Sequence, residues 1–270
     1  MTNMNELRDI ARTLASTYAA KATELRAAGV EVAATKSSIS DIVTAADRQI
    51  EAEIRSELAR LRPEDTIVGE EDGGTAGEGI TWIIDPIDGT VNYLYGAMPS
   101  GVSIAACRGA DIADLDVLAG AVAEIGTGRL WHAAKGEGAE GPTGQLKVSE
   151  VDDLEVALVA TGFSYVPRER IHQARVLSNL IGRVRDIRRM GACSIDLCMV
   201  AEGHLDLYYE MGLGVWDMAA GKLIVEEAGG IVTTFDWSHG KQMTLAGHAE
   251  IAASFRALLR KSNSDLPGRI

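Results

Sequence analysis

Two aspartates that follow an apolar segment are the residues of this sequence best suited to chemistry. The segment Trp82–Thr90 reads Trp-Ile-Ile-Asp-Pro-Ile-Asp-Gly-Thr, so Asp85 and Asp88 come directly after a run that is typical of a buried strand. Pro86 restricts φ and stiffens the turn between them. Carboxylates that meet at the carboxyl edge of a sheet supply the oxygen ligands that Mg²⁺ or Mn²⁺ prefers. The spacing therefore predicts a metal site, with a solvated acidic turn as the alternative.

Two more acidic residues are candidates for the same site. Glu70 comes directly after the expected strand 66–68 and Gly69, where it can face the same sheet edge as Asp85, with an exposed charged loop as the alternative. Asp217 lies where a helix is expected to begin, within Gly214–Gly221. An aspartate at a helix start is commonly only a cap. Considered alone, Asp217 is therefore interpreted as a capping residue.

Alternating helices and strands must position these acids. Apolar residues three and four apart predict helices over 7–25 and 42–61. Short apolar runs predict strands at 66–68, 81–84, 101–107 and 117–125, and a glycine-rich hairpin over 128–144. The remaining chain predicts strands near 156–161, 186–189, 205–210 and 231–234, with helices near 168–181, 193–201 and 216–227. We expect an α/β fold in two tightly joined halves: an N-terminal α+β half (1–150) with most metal ligands, and a C-terminal α/β half (151–270).

Composition and charge restrict the class of protein. The 270 residues are 46% hydrophobic and 24% charged, as in globular proteins, and their net charge is −13. This charge disfavours nucleic-acid binding but permits a small anionic substrate if cations lie between it and the carboxylates. Three cysteines without metal-binding spacing favour a reducing compartment, and no segment has the roughly 18 consecutive apolar residues of a membrane span. We expect a cytoplasmic protein without nucleic-acid or membrane partners.

Three motifs make the sequence similar to the inositol monophosphatase family of magnesium-dependent, lithium-sensitive phosphatases. They are Gly-Glu-Glu at Gly69–Glu71, the segment Trp82–Thr90, and Trp-Asp-Met-Ala-Ala-Gly at Trp216–Gly221, which is followed by Glu-Glu-Ala-Gly-Gly at Glu226–Gly230. They occur in the family's order, and the resemblance covers nearly the whole chain. It implies a layered αβαβα sandwich, a homodimer and hydrolysis of a small phosphate monoester. Inositol 1-phosphate is the first expected substrate.

The resemblance also implies a set of metal ligands. Glu70, Asp85 and the backbone carbonyl of Ile87 match the ligands of a first Mg²⁺ ion. Asp85, Asp88 and Asp217 match those of a second ion, and Glu70 also helps to hold a third. Two to three ions are therefore expected, and Mn²⁺ is an alternative to Mg²⁺.

A threonine and a buried acid are implied to orient the attacking water. Asp47 matches the family acid that accepts a hydrogen bond from the threonine of the Asp-Gly-Thr motif, here Thr90. With Glu70, this pair forms the expected catalytic group, while Gly89 and Thr90 are implied to donate hydrogen bonds to the phosphate. Because metal ions activate water and stabilise the leaving alkoxide, no cysteine or serine nucleophile is required.

Substrate choice is expected to depend on the second half. Gly191 and Cys193 match family positions that line the substrate pocket, although a plain strand-to-helix turn is the other interpretation. Glu210 matches a glutamate that hydrogen-bonds to inositol hydroxyls. Asp88, Gly89, Thr90 and Asp217 complete the expected substrate-binding set. Since a carboxylate also suits an ammonium group, a histidinol-phosphate phosphatase is the alternative function, and a nucleotide 3′-phosphatase is a third.

Two basic features allow further interpretations. Lys36 matches a family lysine on the loop before the second helix, near the third ion, although a solvated loop lysine explains it equally well. The arginines at 183, 185, 188 and 189 are expected at a dimer surface or at the pocket entrance. Some bacterial relatives bind transcription machinery through this region, so an interaction scaffold is a hypothesis of a different class. Because every expected metal ligand is present, an enzyme is favoured.

Overall fold

Helices and strands alternate along the computed structural model, which describes residues 3–35, 42–97 and 99–265. The helices are α1 (Met4–Ala28), α2 (Ala45–Leu61), α3 (Thr90–Tyr95), α4 (Pro167–Leu180), α5 (Cys193–Ala201), α6 (Val215–Glu227) and α7 (Ala249–Ser264). The strands are β1 (Val32–Thr35), β2 (Ile42–Thr44), β3 (Thr66–Gly69), β4 (Ile80–Asp88), β5 (Gly101–Arg108), β6 (Asp116–Glu124), β7 (Leu130–Ala134), β8 (Ala139–Gly141), β9 (Gly144–Gln145), β10 (Leu158–Thr161), β11 (Asp186–Arg188), β12 (Leu207–Met211), β13 (Ile231–Asp236) and β14 (Gln242–Gly247).

Two sheets form the frame of the molecule. The first has seven strands in the order β3-β4-β5-β6-β7-β8-β9, in which only β3 and β4 run parallel to each other. The second has five strands in the order β11-β10-β12-β14-β13. In it, β10 is parallel to β11 and β12, whereas β14 is antiparallel to β12 and β13. Strands β1 and β2 form a separate antiparallel pair.

Side chains on the two faces of each sheet pack into different cores. Trp82 and Ile84 of β4 pack with α1 and α2, whereas Ile83 between them packs with α5 and α6. In the second sheet, Tyr208 packs with the same central helices, and Tyr209 packs with α4 and α7. This alternation follows from the two-residue repeat of a strand. The layers therefore run helix, sheet, helix, sheet, helix, which confirms the predicted αβαβα sandwich.

The first helix follows its apolar stripe. Leu7 and Leu14 are buried against the first sheet, because residues three and four apart share one face of a helix. The Asn3 side chain caps the start by accepting hydrogen bonds from the N–H groups of Asn5 and Glu6. α1 thus extends beyond both predicted ends. Of the helices in the described part of the chain, none combines the length and apolar character that a bilayer crossing requires.

The second helix begins later than its apolar spacing predicts. Ile42 belongs to β2, and α2 starts at Ala45. The start is set by a capping box, in which Thr44 and Asp47 exchange side-chain and backbone hydrogen bonds. Apolar periodicity cannot distinguish a short strand from the first turn of the helix that follows it.

Several elements were not predicted from the sequence or have other boundaries. Strand β10 begins at Leu158, because 154–156 form a 3₁₀ turn. Helices α3 and α7 and strands β1 and β14 were not predicted, although an apolar stripe at Ile251, Phe255 and Leu259 marks α7. The hairpin predicted over 128–144 is confirmed by the pairing of β7 with β8. Helix α6 packs against strands of the first sheet, so both halves of the chain share the central helical layer.

Candidate active site

Strand β4 ends in a bulge that turns two aspartates to the same side. Asp85 pairs with Ser103 and Asp88 pairs with Gly101, so β4 has one more residue than β5 in this stretch. In a regular strand, residues three apart face opposite sides of the sheet, and the additional residue restores the same side. Ile87 correspondingly packs into the core beneath α1 and α2.

Asp217 brings a third carboxylate to these two. One carboxylate oxygen from each of Asp85, Asp88 and Asp217 lies within 4.8 Å of the others. Asp217 is in the first turn of α6, and its Oδ2 accepts a hydrogen bond from the N–H of Gly214 at 2.5 Å. The residue therefore contributes to the helix start, as the capping interpretation predicts, and also belongs to the acidic cluster.

Glu70 reaches the same place from the neighbouring parallel strand. Gly69, the last residue of β3, pairs with Ile84 of β4, and the N–H of Glu70 donates to the carbonyl of Ile84 at 3.1 Å. This pairing places Glu70 next to Asp85, and the charge of Glu70 contributes to the raised pKa of Asp85. The end of one strand and the bulge of the next thus bring the two acids together.

Burial and repulsion between neighbouring charges favour protonation of Asp85 and Asp217. Burial raises the pKa of Asp85 well above its usual range, and the charges of Glu70, Asp88 and Asp217 raise it further. Burial and the charges of Asp88 and Glu70 likewise raise the pKa of Asp217. Within the described chain, the buried Oδ2 of Asp85 has no hydrogen-bond partner. A buried, unpartnered oxygen in a set of repelling carboxylates fits a divalent cation.

Ser194 is a site residue that the sequence analysis missed. Its N–H and its hydroxyl both donate to Oδ2 of Asp88, at 2.6 and 2.5 Å. Even so, burial raises the pKa of Asp88 to about 6. Ser194 lies in the first turn of α5, where a small polar residue can satisfy a group outside the helix. Its position at a helix start could have indicated a hydrogen-bonding role. It could not have identified Asp88, which is 106 residues away, as the acceptor.

Thr90 and Asp47 are in contact, as the resemblance implies. The Thr90 hydroxyl lies 3.2 Å from Oδ1 of Asp47 and 3.1 Å from the carbonyl oxygen of Ile87, so its single proton can be donated to either. The other oxygen of Asp47 accepts from the Thr44 N–H at 2.8 Å and from the Thr44 hydroxyl. Burial raises the pKa of Asp47 to about 6, and the hydrogen bonds from Thr44 oppose this shift.

Gly89 lies where the first half of the chain packs closely against residues 191 and 192 of the second half. Its φ of +83° is in the left-handed region, which favours glycine. A Cβ at this position would lie 3.0 Å from the Cβ of Ala192 and 3.1 Å from the carbonyl oxygen of Gly191. Gly89 is the cap residue before α3 and Thr90 is its first residue, and the first N–H groups of a helix have no acceptor within it. These groups are therefore suited to an anion.

A cleft of about 290 Å³ collects the acids and the residues expected to contact substrate. Its lining includes Glu70, Asp85, Ile87, Asp88, Gly89, Thr90, Gly191, Cys193, Glu210 and Asp217. Among the predicted site residues that the structure describes, Asp47 alone lies outside this lining, and it contacts the cleft through Thr90. Burial, followed by the charge of Asp88, raises the pKa of the Cys193 thiol well above its usual range. This environment disfavours the thiolate, which agrees with a reaction that needs no cysteine nucleophile.

Glu210 has both a hydrogen-bond donor and a cation nearby. The Tyr208 hydroxyl donates to its Oε2 at 2.5 Å. Burial raises the pKa of Glu210 to about 7, whereas the Tyr208 bond and the positive charge of Arg189 lower it. A Cβ at Gly162 would lie 1.8 Å from Oε2, so the loop after β10 passes directly over the carboxylate.

Hydrogen bonds that were not predicted anchor the loop 162–166, which forms one wall of the cleft. The Ser164 hydroxyl donates to Oε2 of Glu169 at 2.5 Å, and Nζ of Lys241 donates to the same oxygen at 2.8 Å. The N–H of Ser164 donates to Gln173 at 2.9 Å. Lys241 and Glu169 are 72 residues apart, so no local pattern indicates their contact.

The basic residues singled out in the sequence have different surroundings. Arg189 lines the cleft, as the pocket-entrance interpretation predicts. Arg188 is exposed and pairs with Asp186 at 2.6 Å. Lys36 lies outside the described residues, so its expected place near a third ion stays a prediction.

Comparisons with known proteins agree along the length of the chain. The profile of the inositol monophosphatase family matches residues 3–266. The chain belongs to this family. The inositol-1-monophosphatase of Mycobacterium leprae (strain TN) is 43% identical over 258 residues, which are 91% of this chain and 87% of the relative. The Nus factor SuhB of Haemophilus influenzae is 36% identical over 239 residues, 87% of this chain and 86% of the relative.

A solved structure supports the same assignment to the inositol monophosphatase family. Mycobacterium tuberculosis SuhB superposes with a TM-score of 0.82 at 40% identity, covering 97% of this chain and 99% of that chain. The family motifs at Gly69–Glu71, Trp82–Thr90 and Trp216–Gly221 all contribute residues to the one acidic cleft.

Proposed function

We propose that this protein is a metal-dependent phosphate monoester hydrolase that acts on inositol 1-phosphate. The observation that carries the proposal is the convergence of Asp85, Asp88 and Asp217 within 4.8 Å, in a cleft that Glu70 also lines. Family membership and the inositol-1-monophosphatase of Mycobacterium leprae support the choice of reaction and substrate.

Two to three Mg²⁺ ions are the proposed cofactor, and Mn²⁺ is an alternative. Glu70, Asp85, Asp88 and Asp217 would hold them through carboxylate oxygens, and Ile87 through its backbone carbonyl. When bound, such ions neutralise phosphate charge and lower the pKa of a water molecule. The repulsion between these acids would then be replaced by attraction to the cations, which accounts for a cluster that is otherwise costly to bury.

The chain's own groups hold and orient the reacting partners. When the Thr90 hydroxyl donates its proton to Asp47, the lone pairs of its oxygen can accept a hydrogen bond from the attacking water. Asp47 is fixed by Thr44, so Thr90 offers the water one defined acceptor. The N–H groups of Gly89 and Thr90 are proposed as donors to the phosphate.

Glu210 is the proposed contact to the leaving group. A carboxylate accepts hydrogen bonds from neighbouring hydroxyls, which suits a polyol such as inositol. Arg189 already supplies positive charge close to Glu210, so the carboxylate does not depend on a cationic substrate for a counter-charge. This arrangement favours inositol 1-phosphate over histidinol phosphate.

A substrate panel with detection of free phosphate tests the proposal. The panel compares inositol 1-phosphate, histidinol phosphate, fructose 1,6-bisphosphate and 3′-phosphoadenosine 5′-phosphate, each with Mg²⁺ and with excess chelator. We expect inositol 1-phosphate to have the highest kcat/KM and chelator to abolish turnover. Full activity in chelator would refute the metal-dependent reaction, and preference for histidinol phosphate would replace the substrate.

An additional role as a Nus factor is supported by one observation, the 36% identity to the Nus factor SuhB of Haemophilus influenzae. Arg188 is exposed and outside the cleft lining, so it is the residue to test. Charge reversal by Arg188→Glu should abolish capture of transcription proteins from lysate while phosphatase activity is retained. Equal capture by both proteins would contradict a role for this surface.

We also propose a cytoplasmic homodimer that lithium inhibits, as the family resemblance implies. All three cysteines are free and buried, which is compatible with a reducing compartment. Light scattering coupled to size-exclusion chromatography measures the mass of the assembly directly. A lithium titration at fixed Mg²⁺ tests the inhibition.

A further inference from the structure

Glu51 is a buried carboxylate that has no part in the reaction proposed above. It lies on α2 with 0% of its surface exposed. Its two oxygens accept hydrogen bonds from the backbone N–H groups of Glu71 at 2.9 Å and Asp72 at 3.0 Å. Both donors belong to the turn that directly follows Glu70. Charge-assisted bonds from successive N–H groups fix the backbone of such a turn.

Arg55, one helical turn after Glu51, holds the same turn at its other end. Its Nε donates to Oε1 of Glu51 at 2.8 Å, and its Nη2 donates to the carbonyl of Gly73 at 2.5 Å. The guanidinium therefore neutralises the buried carboxylate and ties it to residue 73. A buried charge that is paired and hydrogen-bonded on all sides is tolerated and is rigid.

Gly69 leaves the space that the Glu51 carboxylate occupies. A Cβ at Gly69 would lie 2.1 Å from Oε1 and 2.6 Å from Oε2 of Glu51. The φ of Gly69 is outside the left-handed region, so this position requires glycine for space and not for conformation. The N–H of Gly69 also donates to the carbonyl of Gly73 at 3.0 Å, which closes the turn around the carboxylate.

We propose that Glu51 and Arg55 form a clamp that positions Glu70 as a metal ligand. Glu70 stands just beyond the end of β3, so its backbone belongs both to the sheet edge, through the bond from its N–H to Ile84, and to the turn 70–73. The clamp fixes that turn to α2 and thereby keeps the Glu70 carboxylate beside Asp85. Both clamp residues are positioning residues. The inference rests on the proposed function, in which Glu70 holds a cation.

Metal binding to the chelator-stripped full-length protein tests the clamp. Calorimetric titrations with Mg²⁺ and with Mn²⁺ compare wild type, Glu51→Gln, Gly69→Ala and the control Glu57→Gln. Glu57 is on the same helix in an exposed pair with Arg60, so its change leaves the turn intact. We expect Glu51→Gln and Gly69→Ala to weaken metal affinity about tenfold or more, as losses of groups that orient ligands do. Glu57→Gln should bind like wild type.

The kinetic counterpart separates positioning from general destabilisation. In Glu51→Gln, the Mg²⁺ concentration that gives half-maximal turnover should rise by about the same factor, with most of kcat regained at saturating Mg²⁺. A variant that is merely less stable shows a lower Tm and an unchanged metal affinity. That outcome, found for both Glu51→Gln and Gly69→Ala, overturns the proposal. If Glu51→Gln does not fold, Gly69→Ala decides alone, since it removes no charge.

The reference variant Glu70→Gln distinguishes failure of the clamp from failure of the proposed function. Weak metal binding in Glu70→Gln with normal binding in Glu51→Gln refutes only the clamp. Normal binding in Glu70→Gln refutes the ligand assignment itself. If the clamp acts through Glu70, the double variant should bind metal no more weakly than Glu70→Gln alone.

Discussion

Asp85 combines an unpartnered buried oxygen with three acidic neighbours. Asp85→Asn removes one charge and keeps the shape of the side chain. We expect turnover to fall by several orders of magnitude, because the metal ions that this acid helps to hold provide most of the transition-state stabilisation. In chelator the same variant should have a higher Tm than wild type, since the repulsion is relieved. An active variant, or a lower Tm in chelator, contradicts the assignment.

The Thr90 hydroxyl offers a more selective test. Thr90→Ala should lower kcat more than it raises KM, because orienting the water matters chiefly in the transition state. Thr90→Ser keeps the hydroxyl and is the matched control. Steady-state kinetics with inositol 1-phosphate measure both constants. A rise in KM alone would make the Thr90 hydroxyl a further phosphate ligand and would contradict its role in orienting the water with Asp47.

Glu210 provides a test of the proposed substrate, because it is the proposed contact to the inositol hydroxyls. Glu210→Gln loses charge-assisted bonds to hydroxyls, each of which contributes roughly 1.5–3 kcal/mol. The kcat/KM for inositol 1-phosphate should fall about tenfold or more, and the value for the smaller β-glycerophosphate should fall less. If histidinol phosphate were the substrate, it would suffer the larger loss, because its ammonium would lose a counter-charge. Equal mild losses on all esters would show that Glu210 does not contact substrate.

Residue types and motifs predicted the acids but not the groups that hold them. Asp85 and Asp88 are three positions apart and carry a recognisable local pattern. Ser194 contacts Asp88 across 106 residues, and Glu51 reaches the turn after Glu70 across about 20. Such contacts depend on how the elements pack, and a buried glutamate on an amphipathic helix gives no sign of its partner. The supporting residues therefore emerge only from the fold.

Among the elements, β4 shows both the power and the limit of periodicity. Its apolar run correctly predicts a buried strand. Strict alternation, however, would place Asp85 and Asp88 on opposite faces of the sheet. The bulge between them corrects the phase, and Pro86 is its one local sign, since proline within a sheet is largely confined to edges and bulges. The alternation of apolar and polar residues predicts a strand, but it cannot predict where an additional residue forms a bulge.

The turn between β13 and β14 allows a test of how the loop 162–166 is held. This turn places Lys241 next to Glu169, which also bonds Ser164 of the loop. Lys241→Met keeps most of the apolar stem and removes the ion pair with Glu169. We expect KM for inositol 1-phosphate to rise severalfold with little change in kcat, because the loop wall loosens while the acidic cluster is untouched. Lys241→Arg should restore the pair.

The control for this prediction is Lys147→Met, which breaks an exposed ion pair with Glu150 away from the cleft. It should leave both constants unchanged. A loss of kcat in Lys241→Met at unchanged KM would instead assign Lys241 to the chemical step.

At the scale of the whole molecule, the raised pKa values make stability depend on pH in an unusual direction. Burial raises the pKa values of Asp47 and Asp88 from 3.8 to about 6, and it raises the pKa of Glu210 from 4.5 to about 7. At pH values between the unfolded and the folded pKa of each group, the folded protein therefore binds more protons than the unfolded chain. The free energy of unfolding of the metal-free protein should therefore fall as pH rises from about 4 to about 7.

Thermal melts in chelator at about pH 5 and about pH 7.5 measure this effect. We expect the higher Tm at the lower pH, and Mg²⁺ should reduce the difference by neutralising the ionised carboxylates. Asp85→Asn should also reduce it. A metal-free Tm that increases over this range would mean that the carboxylates are not a net cost to folding.

The layered architecture was predicted through motifs and not through periodicity. Alternating helices and strands indicate an α/β chain, but they do not say which strands are neighbours. Strands β12 and β13 are consecutive among the strands of the chain, yet they are not neighbours in the sheet. The unpredicted strand β14 lies between them. The αβαβα order was expected because the motifs resemble those of a family, and packing of α5 and α6 between both sheets confirms it.

The close approach at Gly89 has a consequence for how such proteins diverge. Glu70, Asp85 and Asp88 reach the cleft from the first sheet, whereas Phe163 and Leu213 reach it from segments joined to the second. Substitutions at these two positions can therefore reshape the substrate wall, while the metal ligands, which include Asp217 on α6, stay constant. A library randomised at positions 163 and 213 should yield enzymes for different alcohols that share one metal requirement. We therefore expect new substrate preferences to arise mainly from changes in the segments joined to the second sheet.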